Sequence, residues 1–258
     1  VATELLVVDS GSEHDIESSL RSLVEADELI AVGHNVGFGP GANVGLRRWL
    51  RESTGEWCAI APHDALPDPD TLEKILDAVK ERPFVGLVSA DVGDPGRPII
   101  EPFLGPIDAP ATGTGGLEFA DYPHGTLMLV RRRCIEEVGL FDERYFAYCE
   151  EAELALRARA AGWQSGIVRG AMVHNPGMST NVERVAYLQH RNTLLMLREH
   201  FGRWNAWFRL GMALIQLPIG LVYPRARGLH WSPTGRLKGI RDFVRGRYGP
   251  PARDVRGA

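Results

Sequence analysis

Cysteine is scarce in this sequence, and the few cysteines present have no paired spacing. Cys58, Cys134 and Cys149 are an odd number, and no two of them form a Cys-x-x-Cys pattern. This arrangement excludes a thiolate zinc motif and is typical of a protein in a reducing compartment. We therefore expect the three thiols to lie in the core.

Long apolar runs and a large excess of charge are also lacking. No uninterrupted run approaches the roughly 18 apolar residues of a membrane-spanning helix, and no basic and then apolar signal segment opens the chain. The sequence thus indicates neither secretion nor a spanning helix, and we expect a cytoplasmic location. The net charge of −4 offers no general attraction for nucleic acid, so no nucleic-acid partner is predicted.

What the sequence does contain is an alternation of short apolar runs with helical segments. Strands are predicted over 4–9, 29–32, 57–61, 84–88, 126–130 and 165–174, and helices over 13–26, 70–81 and 149–161, with a further helix opening at the glycines of 37–45. Such alternation predicts an α/β fold with a mostly parallel sheet flanked by helices. Residues 91–123 are rich in Gly, Pro and Asp and are predicted to form a long loop.

The pattern is helical beyond residue 181, which divides the chain into a domain over 1–180 and a helical extension over 181–258. Within the extension, residues 206–223 are the most apolar, although Pro218 interrupts them and arginines flank them. This combination suits a helix that lies on a membrane surface, which would place the protein at the inner face of the membrane. A helix packed against the domain explains the pattern equally well.

Three carboxylates stand at the start of the helix predicted over 149–161. Glu150, Glu151 and Glu153 follow the aromatic segment Tyr145–Tyr148. Crowding and partial burial raise the pKa of a carboxyl group toward the range in which it acts as a general base, so the cluster indicates proton transfer. Acids in a first helical turn also complement the helix dipole, which is the simpler interpretation.

A glycine-rich segment over 35–45 is the second cluster with chemical potential. Its glycines allow close backbone approach to a ligand, and the helix that follows would present free N–H groups to phosphate. Gly37, Gly39 and Ala42 also fit the G-x-G-x-x-A pattern of dinucleotide-binding folds. In those folds, however, the glycines directly follow the first strand, whereas here a strand and a helix precede them.

Two further residues are candidate ligands for a cation or a phosphate. Asp64 follows the strand predicted over 57–61, at the carboxyl end where open parallel sheets bind ligands, and could hold a divalent cation that bridges two phosphates. A turn-capping role for Asp64 is the alternative. His174 ends an apolar run and could be another metal ligand or phosphate contact, although a lone histidine is more often structural.

The order of these motifs resembles that of the family 2 glycosyltransferases, in particular the bacterial rhamnosyltransferase-like branch with a GT-A fold. The resemblance spans about residues 4–200. It rests on Val7–Ser12, Asn35–Gly45, Asp64 with Pro67–Pro69, Arg131–Arg132, Val138–Glu143, Tyr148–Glu151, Leu156–Arg157, Gly162–Trp163, His174 and Arg191–Asn192. It implies a Rossmann-like GT-A domain, and it aligns the start of this chain with the family's second strand, so that the opening strand and helix are expected to be missing.

The resemblance implies inverting transfer of a sugar, such as rhamnose or another hexose, from a nucleotide-diphosphate donor to a cell-envelope polysaccharide or glycolipid. Glu151 would be the base, with Glu150 as the alternative. Asp64 and His174 would hold Mn²⁺ or Mg²⁺, and His124, Gly125 and Trp163 would contact the acceptor. The nucleotide sugar would be bound by Asp9, Ser10, Asn35, Gly37, Gly39, Asn43 and Asp64.

Two motifs depart from the family pattern. Pro62-His63-Asp64 replaces the usual Asp-x-Asp, which leaves one carboxylate, and Glu150-Glu151 replaces the usual Glu-Asp, which moves the second carboxylate by one methylene. The alternative function is therefore a degenerate family member that binds a glycan or a partner without transferring sugar.

Overall fold

A mixed six-stranded sheet with helices on both faces forms the centre of the computed structural model, which describes residues 3–12, 14–25, 28–175, 181–228 and 230–251. The sheet order is β3 (Trp57–Ile60), β9 (Met128–Arg131), β5 (Val85–Asp91), β10 (Gln164–His174) and β4 (Leu66–Pro67), and β8 (Gly116–Ala120) also pairs with β10. A separate parallel pair joins β1 (Val7–Asp9) and β2 (Leu29–Ala31).

The predicted α/β class is confirmed, but the sheet is mixed rather than mostly parallel. The pairing of β5 with β10 is parallel, whereas β9 runs antiparallel to both β3 and β5, and β8 and β4 run antiparallel to β10. Direction cannot be read from an apolar run alone, since a buried strand has the same composition in either orientation. It follows from the pairings that β3, β5 and β10 all point the same way.

The helices cover the two faces of the sheet. On one face α2 (Phe38–Glu52), α4 (Arg132–Val138) and α5 (Glu150–Ala160) pack on Leu87, Met128 and Val130. On the other face, α3 (Thr71–Val79) packs on Val85 and Val88. The alternation of neighbouring side chains between two apolar layers explains why every residue of β5 is buried. Helix α1 (His14–Leu23) lies within the predicted 13–26, whose ends at 13 and 26 are outside the described residues.

The predicted loop over 91–123 is wrong, because this segment contains three strands. A hairpin joins β6 (Gly96–Glu101) to β7 (Gly105–Pro110), and β8 follows at the sheet edge. Pro98, Pro106 and Pro110 lie within the hairpin strands and hide their period. In the described part of the chain β6 and β7 form a two-stranded sheet of their own, so both are edge strands, where proline is tolerated.

Over the described residues beyond 181, the C-terminal part contains α6 (Val182–Phe201), α7 (Arg203–Val222) and α8 (Pro233–Val244), with a short 3-10 helix at Pro224–Ala226. The boundary predicted at residue 180 lies outside the described residues. By length and composition alone, α7 could cross a membrane. One face of α7 is buried against the protein, through residues that recur at helical spacing: Ala206, Leu210, Ala213, Leu217 and Gly220.

Candidate active site

One edge of the central sheet collects the ends of its three co-directional strands. β3 ends at Ile60, β5 at Asp91 and β10 at His174, and the antiparallel β9 begins at this same edge. His124 and Gly125 precede β9, and the His124 amide donates a hydrogen bond to the Ser89 hydroxyl of β5 at 3.0 Å. The edge therefore gathers loops from distant parts of the sequence, as ligand sites of open α/β sheets do.

The loop that leads into α5 has an unusual backbone. Phe146, Tyr148 and Cys149 all have positive φ, at 66°, 68° and 69°. Residues with side chains rarely adopt this left-handed conformation, and such strain persists only where the surroundings impose it. The loop over 145–149 therefore has to be held in place, and it directly precedes Glu150 and Glu151.

Asn192 of α6 holds that loop. Its buried side-chain amide donates to the carbonyl oxygens of Tyr145, Ala147 and Tyr148, each at 2.8 Å. Arg191, also fully buried, donates to the Tyr145 carbonyl at 3.1 Å and to the Asn192 side-chain oxygen at 3.0 Å. Arg191 and Asn192, which belong to the motifs of the family resemblance, therefore bind the backbone of the strained loop.

Glu150 is enclosed by protein. Only 3% of it is exposed, and its Oε2 atom has no hydrogen-bond partner among the described residues. Its Cβ and Cγ face Gly39 of α2. Burial, together with the charge of Glu151, raises the pKa of Glu150 well above its ordinary value. Glu150 is thus a buried acid that favours its protonated form.

Glu151 has a more open position, beside Gly125. A Cβ atom built on Gly125 would lie 2.6 Å from Oε1 of Glu151, so glycine at position 125 leaves room for the carboxylate. Burial raises the pKa of Glu151. Burial raises the pKa of the Tyr122 hydroxyl, and the charge of Glu151 adds to that effect. The half-buried His124 has its pKa lowered by burial, and its Nε2 atom has no partner among the described residues.

The glycine-rich segment reaches the strained loop as well. Gly37 has φ of 96°, and a Cβ atom there would lie 2.3 Å from the Phe146 carbonyl oxygen. The Asn35 side chain accepts a hydrogen bond from the Gly37 amide at 2.9 Å, and the Ser10 hydroxyl accepts one from the Val36 amide at 3.2 Å. The glycines were expected to let a ligand come close to the backbone. In the structure the protein's own loop, at Phe146, comes close to Gly37. Asp9 is buried and accepts a bond from the Ser12 amide at 3.0 Å.

Two predicted site residues are placed elsewhere. The Asn43 side chain is buried and fully engaged with the segment after α4, donating to the Phe141 carbonyl at 2.9 Å and accepting from the Phe141 amide at 3.0 Å. Trp163 lies in the core, donates to Glu137 at 2.9 Å and precedes β10, at the opposite end of that strand from His174. Asn43 and Trp163 therefore make contacts within the protein, and their roles toward donor and acceptor stay predictions.

The candidate metal ligands lie where β4 pairs with the end of β10. His174 is opposite Leu66, and its Nε2 atom lies 3.2 Å from Oδ1 of Asp68. Asp64 is half-buried in the turn before β4. Within the described part of the chain, no group of three or more His, Cys, Asp or Glu residues is arranged to hold a metal ion. Asp68 was missed in the sequence because nothing local connects it with His174.

A buried network of ion pairs and hydrogen bonds joins the strands near this edge of the sheet. Arg169 of β10 donates to Glu118 at 2.6 Å, to Asp91 at 3.3 Å and to the Gly96 carbonyl at 2.6 Å. Although burial opposes it, hydrogen bonds from the Thr112 amide and from Arg169 lower the pKa of Glu118 to about 2. The network ties β8, β5 and the hairpin to β10.

Comparison with known proteins identifies the class. Residues 2–139 match the family described as Glycosyl transferase family 2, more than half of the chain. The chain belongs to this family and is a glycosyltransferase. It is 28% identical over 240 residues to an N-acetylglucosaminyl-diphospho-decaprenol L-rhamnosyltransferase of Mycobacterium tuberculosis, covering 80% of this chain and 78% of the relative. It is also 25% identical over 215 residues to the low-salt glycan biosynthesis hexosyltransferase Agl10 of Haloferax volcanii, covering 78% and 69%.

Solved structures share the fold. A mannosyltransferase, PcManGT from Pyrobaculum calidifontis in complex with GDP-Man and Mn²⁺, superposes with a TM-score of 0.52 at 17% identity, covering 93% of this chain and 75% of the other. GalNAc-T7 with UDP, GalNAc and Mn²⁺ has a TM-score of 0.62 at 12% identity, covering 93% and 47%. The GT-A architecture implied by the sequence motifs is thereby confirmed.

Proposed function

We propose that this enzyme transfers a hexose such as rhamnose from a nucleotide-diphosphate sugar to a lipid-linked or polysaccharide acceptor of the cell envelope, with inversion at the anomeric carbon. The observation that carries the proposal is the pair Glu150 and Glu151 at the start of α5, directly after the strained loop at the sheet edge. The relatives' names, a rhamnosyltransferase and a hexosyltransferase, support the donor class. The rhamnosyltransferase's diphospho-decaprenol acceptor supports a lipid-linked one.

In the proposed reaction Glu151 is the base. Its carboxylate takes the proton from an acceptor hydroxyl, the oxygen forms a bond to the anomeric carbon, and the bond to the nucleotide diphosphate breaks. A pKa raised by burial strengthens Glu151 as a proton acceptor. Glu150 is less suited, because its carboxyl group is enclosed between α5 and Gly39. We infer that Glu150 remains protonated and limits the negative charge beside the base.

The donor is proposed to lie along the edge formed by Asp9, Ser10, Asn35, Gly37 and Gly39. A divalent cation, when bound, neutralises the departing diphosphate. Carboxylate oxygens suit Mn²⁺ and Mg²⁺, so Asp64 would hold the cation with His174, and the donor's phosphates would supply further ligands because the described residues form no three-ligand group. His124 and Gly125, next to Glu151, are the proposed acceptor contacts.

Calorimetric titration with UDP and dTDP, with and without Mn²⁺, tests donor binding. We expect binding that prefers one base and needs the metal, and Asp64→Ala should remove the metal dependence. Binding of neither nucleotide in either condition would contradict a donor site in this chain.

A transfer assay then tests the base. Glu151→Gln should lower kcat roughly 100-fold or more, the contribution of a general base, while donor affinity stays nearly unchanged. Glu150→Gln is the matched variant, because it makes the same change one residue away. A larger loss in Glu150→Gln than in Glu151→Gln would exchange the two roles, and absence of turnover in the unmodified enzyme would favour the non-catalytic alternative.

A further inference from the structure

Two arginines and a histidine on the C-terminal helices each bury a nitrogen atom that has no partner among the described residues. His190 of α6, Arg209 of α7 and Arg236 of α8 each have a buried nitrogen with no hydrogen-bond partner in the described part of the chain: Nε2, Nη1 and Nε, respectively. Neither guanidinium forms an ion pair there. An unpaired buried charge is costly, so the arrangement is one that an anion would stabilise.

The three groups lie on helices that pack against one another, since α6 contacts both α7 and α8. Burial lowers the pKa of His190 to about 4, and the charges of Arg236 and Arg209 contribute to that change. Burial also lowers the pKa of Arg236, and the charge of Arg209 adds to that effect. Arg236 is held by its Trp231 neighbour, whose ring centre lies 4.3 Å from the guanidinium carbon, and only 9% of Arg236 is exposed.

A cavity of about 440 Å³ opens beside Arg236. It is lined by Gln216, Ile219, Ala226, Gly228, Trp231 and Arg236. This volume lies within the range of ligand sites. A planar guanidinium at the wall of such a cavity is the group best matched to phosphate oxygens.

The outer face of α7, next to this cavity, is apolar and exposed. Trp204, Phe208, Ile215, Ile219 and Val222 recur at helical spacing on the side opposite the buried face, and Trp204 and Ile215 are 79% and 60% exposed. An interfacial helix buries such a face among lipid chains while cations bind the head groups. Apolar surface and phosphate-binding groups are therefore adjacent.

Arg209 is also connected to the strained loop over 145–149. Arg209 donates to the Leu104 carbonyl at 3.0 Å, and the adjacent Gly105 packs against Thr193. Thr193 in turn contacts Cys149 at 3.6 Å, the residue before Glu150. A phosphate at the arginines would thus be connected through three contacts to Cys149, two residues before the proposed base Glu151.

We propose that Arg209 and Arg236 bind the phosphate head group of a membrane-embedded lipid-linked acceptor whose hydrocarbon chain lies on the exposed face of α7. This inference rests on the proposed function and specifies how its acceptor is held. Orientation by the phosphate would leave the attached sugar directed toward the edge that carries Glu151.

Vesicle binding by the full chain tests the proposal. Phosphatidylcholine vesicles containing a polyprenyl diphosphate are compared with vesicles given equal negative charge by phosphatidylglycerol. We expect tighter binding to the diphosphate vesicles and a loss of roughly tenfold or more in Arg236→Gln and Arg209→Gln, as for a lost charge-assisted hydrogen bond. Arg245→Gln is the matched control, since Arg245 is an exposed arginine on the C-terminal cap of α8.

Equal binding to both kinds of vesicle, or full retention by both variants, would overturn the proposal. Inorganic pyrophosphate that binds without lipid as tightly as the vesicles do would also overturn it, because the site would then serve a soluble phosphate. Melting curves confirm that the variants are folded. Nucleotide titration of the same variants keeps the two proposals apart, because loss of lipid binding with intact donor binding leaves the transferase proposal standing.

Discussion

The hydrogen bonds from the Asn192 side chain to the strained loop lead to a quantitative prediction for Asn192→Asp. The substitution keeps the shape of the side chain but replaces its N–H donors by oxygen, which then faces the carbonyls of Tyr145, Ala147 and Tyr148. The amide has two N–H donors, so the bonds it loses are together expected to be worth about 2 kcal/mol, at roughly 1 kcal/mol for each donor. The three left-handed residues carry strain of about 1–2 kcal/mol each, so the loop is expected to relax when these bonds are lost.

Relaxation of the loop would displace Glu151, which follows it directly. A displacement of about 1 Å of a catalytic group costs roughly 100-fold in rate, so kcat should fall by about that factor while the KM for the donor changes little. The measurements are steady-state transfer kinetics below the melting temperature and unfolding in urea. Gln189→Glu, an amide-to-acid change on the same helix, is the control. Loss of stability with unchanged kcat would refute the reasoning, since Asn192 would then only support the fold.

The remaining predictions concern the base, its acidic neighbour and the ion network. Gly125→Ala should lower kcat roughly 100-fold with little change in melting temperature, because the new methyl group displaces only the end of Glu151; unchanged kinetics would contradict this contact. Glu150→Gln should be more stable than the unmodified enzyme, and the difference should grow as pH rises above the pKa of the carboxyl in the unfolded chain. The reason is that the folded state raises the pKa of Glu150, so ionisation disfavours folding. A difference in melting temperature that shrinks as pH rises would contradict this prediction. Arg169→Leu should lower the free energy of unfolding by about 3–5 kcal/mol, because it leaves Glu118 buried without its partner, and urea titration showing a change below about 1 kcal/mol would disprove it.

The sequence predicted the elements of this fold better than their arrangement. Apolar runs and helical periods indicated β5, β9, α3 and α5 within a few residues, because burial and local propensity determine them. The direction of β9 and the hairpin over 96–110 depend on pairing partners far away in the chain. Prolines in the hairpin removed the local strand pattern, so composition favoured a loop.

The same division applies to the site. Glu150, Glu151 and the Gly125 neighbourhood were indicated by motif and order, whereas Asn43 and Trp163 have the residue types of ligand contacts but make structural ones. Side-chain type does not determine which way a residue faces. The link between α6 and the strained loop joins residues 47 positions apart and leaves no local signal. Asp91 could have been identified from the sequence as a polar residue near the site, since it ends a fully buried strand at this edge of the sheet.

The hydrogen bonds from α6 to the strained loop also affect how enzymes of this family can be recombined. The segment that matches the family ends at residue 139, yet the geometry of the acids that follow is set by Arg191 and Asn192. A hybrid that keeps the matched segment and takes the C-terminal helices from a relative would therefore inherit the position of its acids from the second parent. If those helices also hold the acceptor's phosphate, as we propose, the choice of acceptor and the placement of the base would be exchanged as one unit.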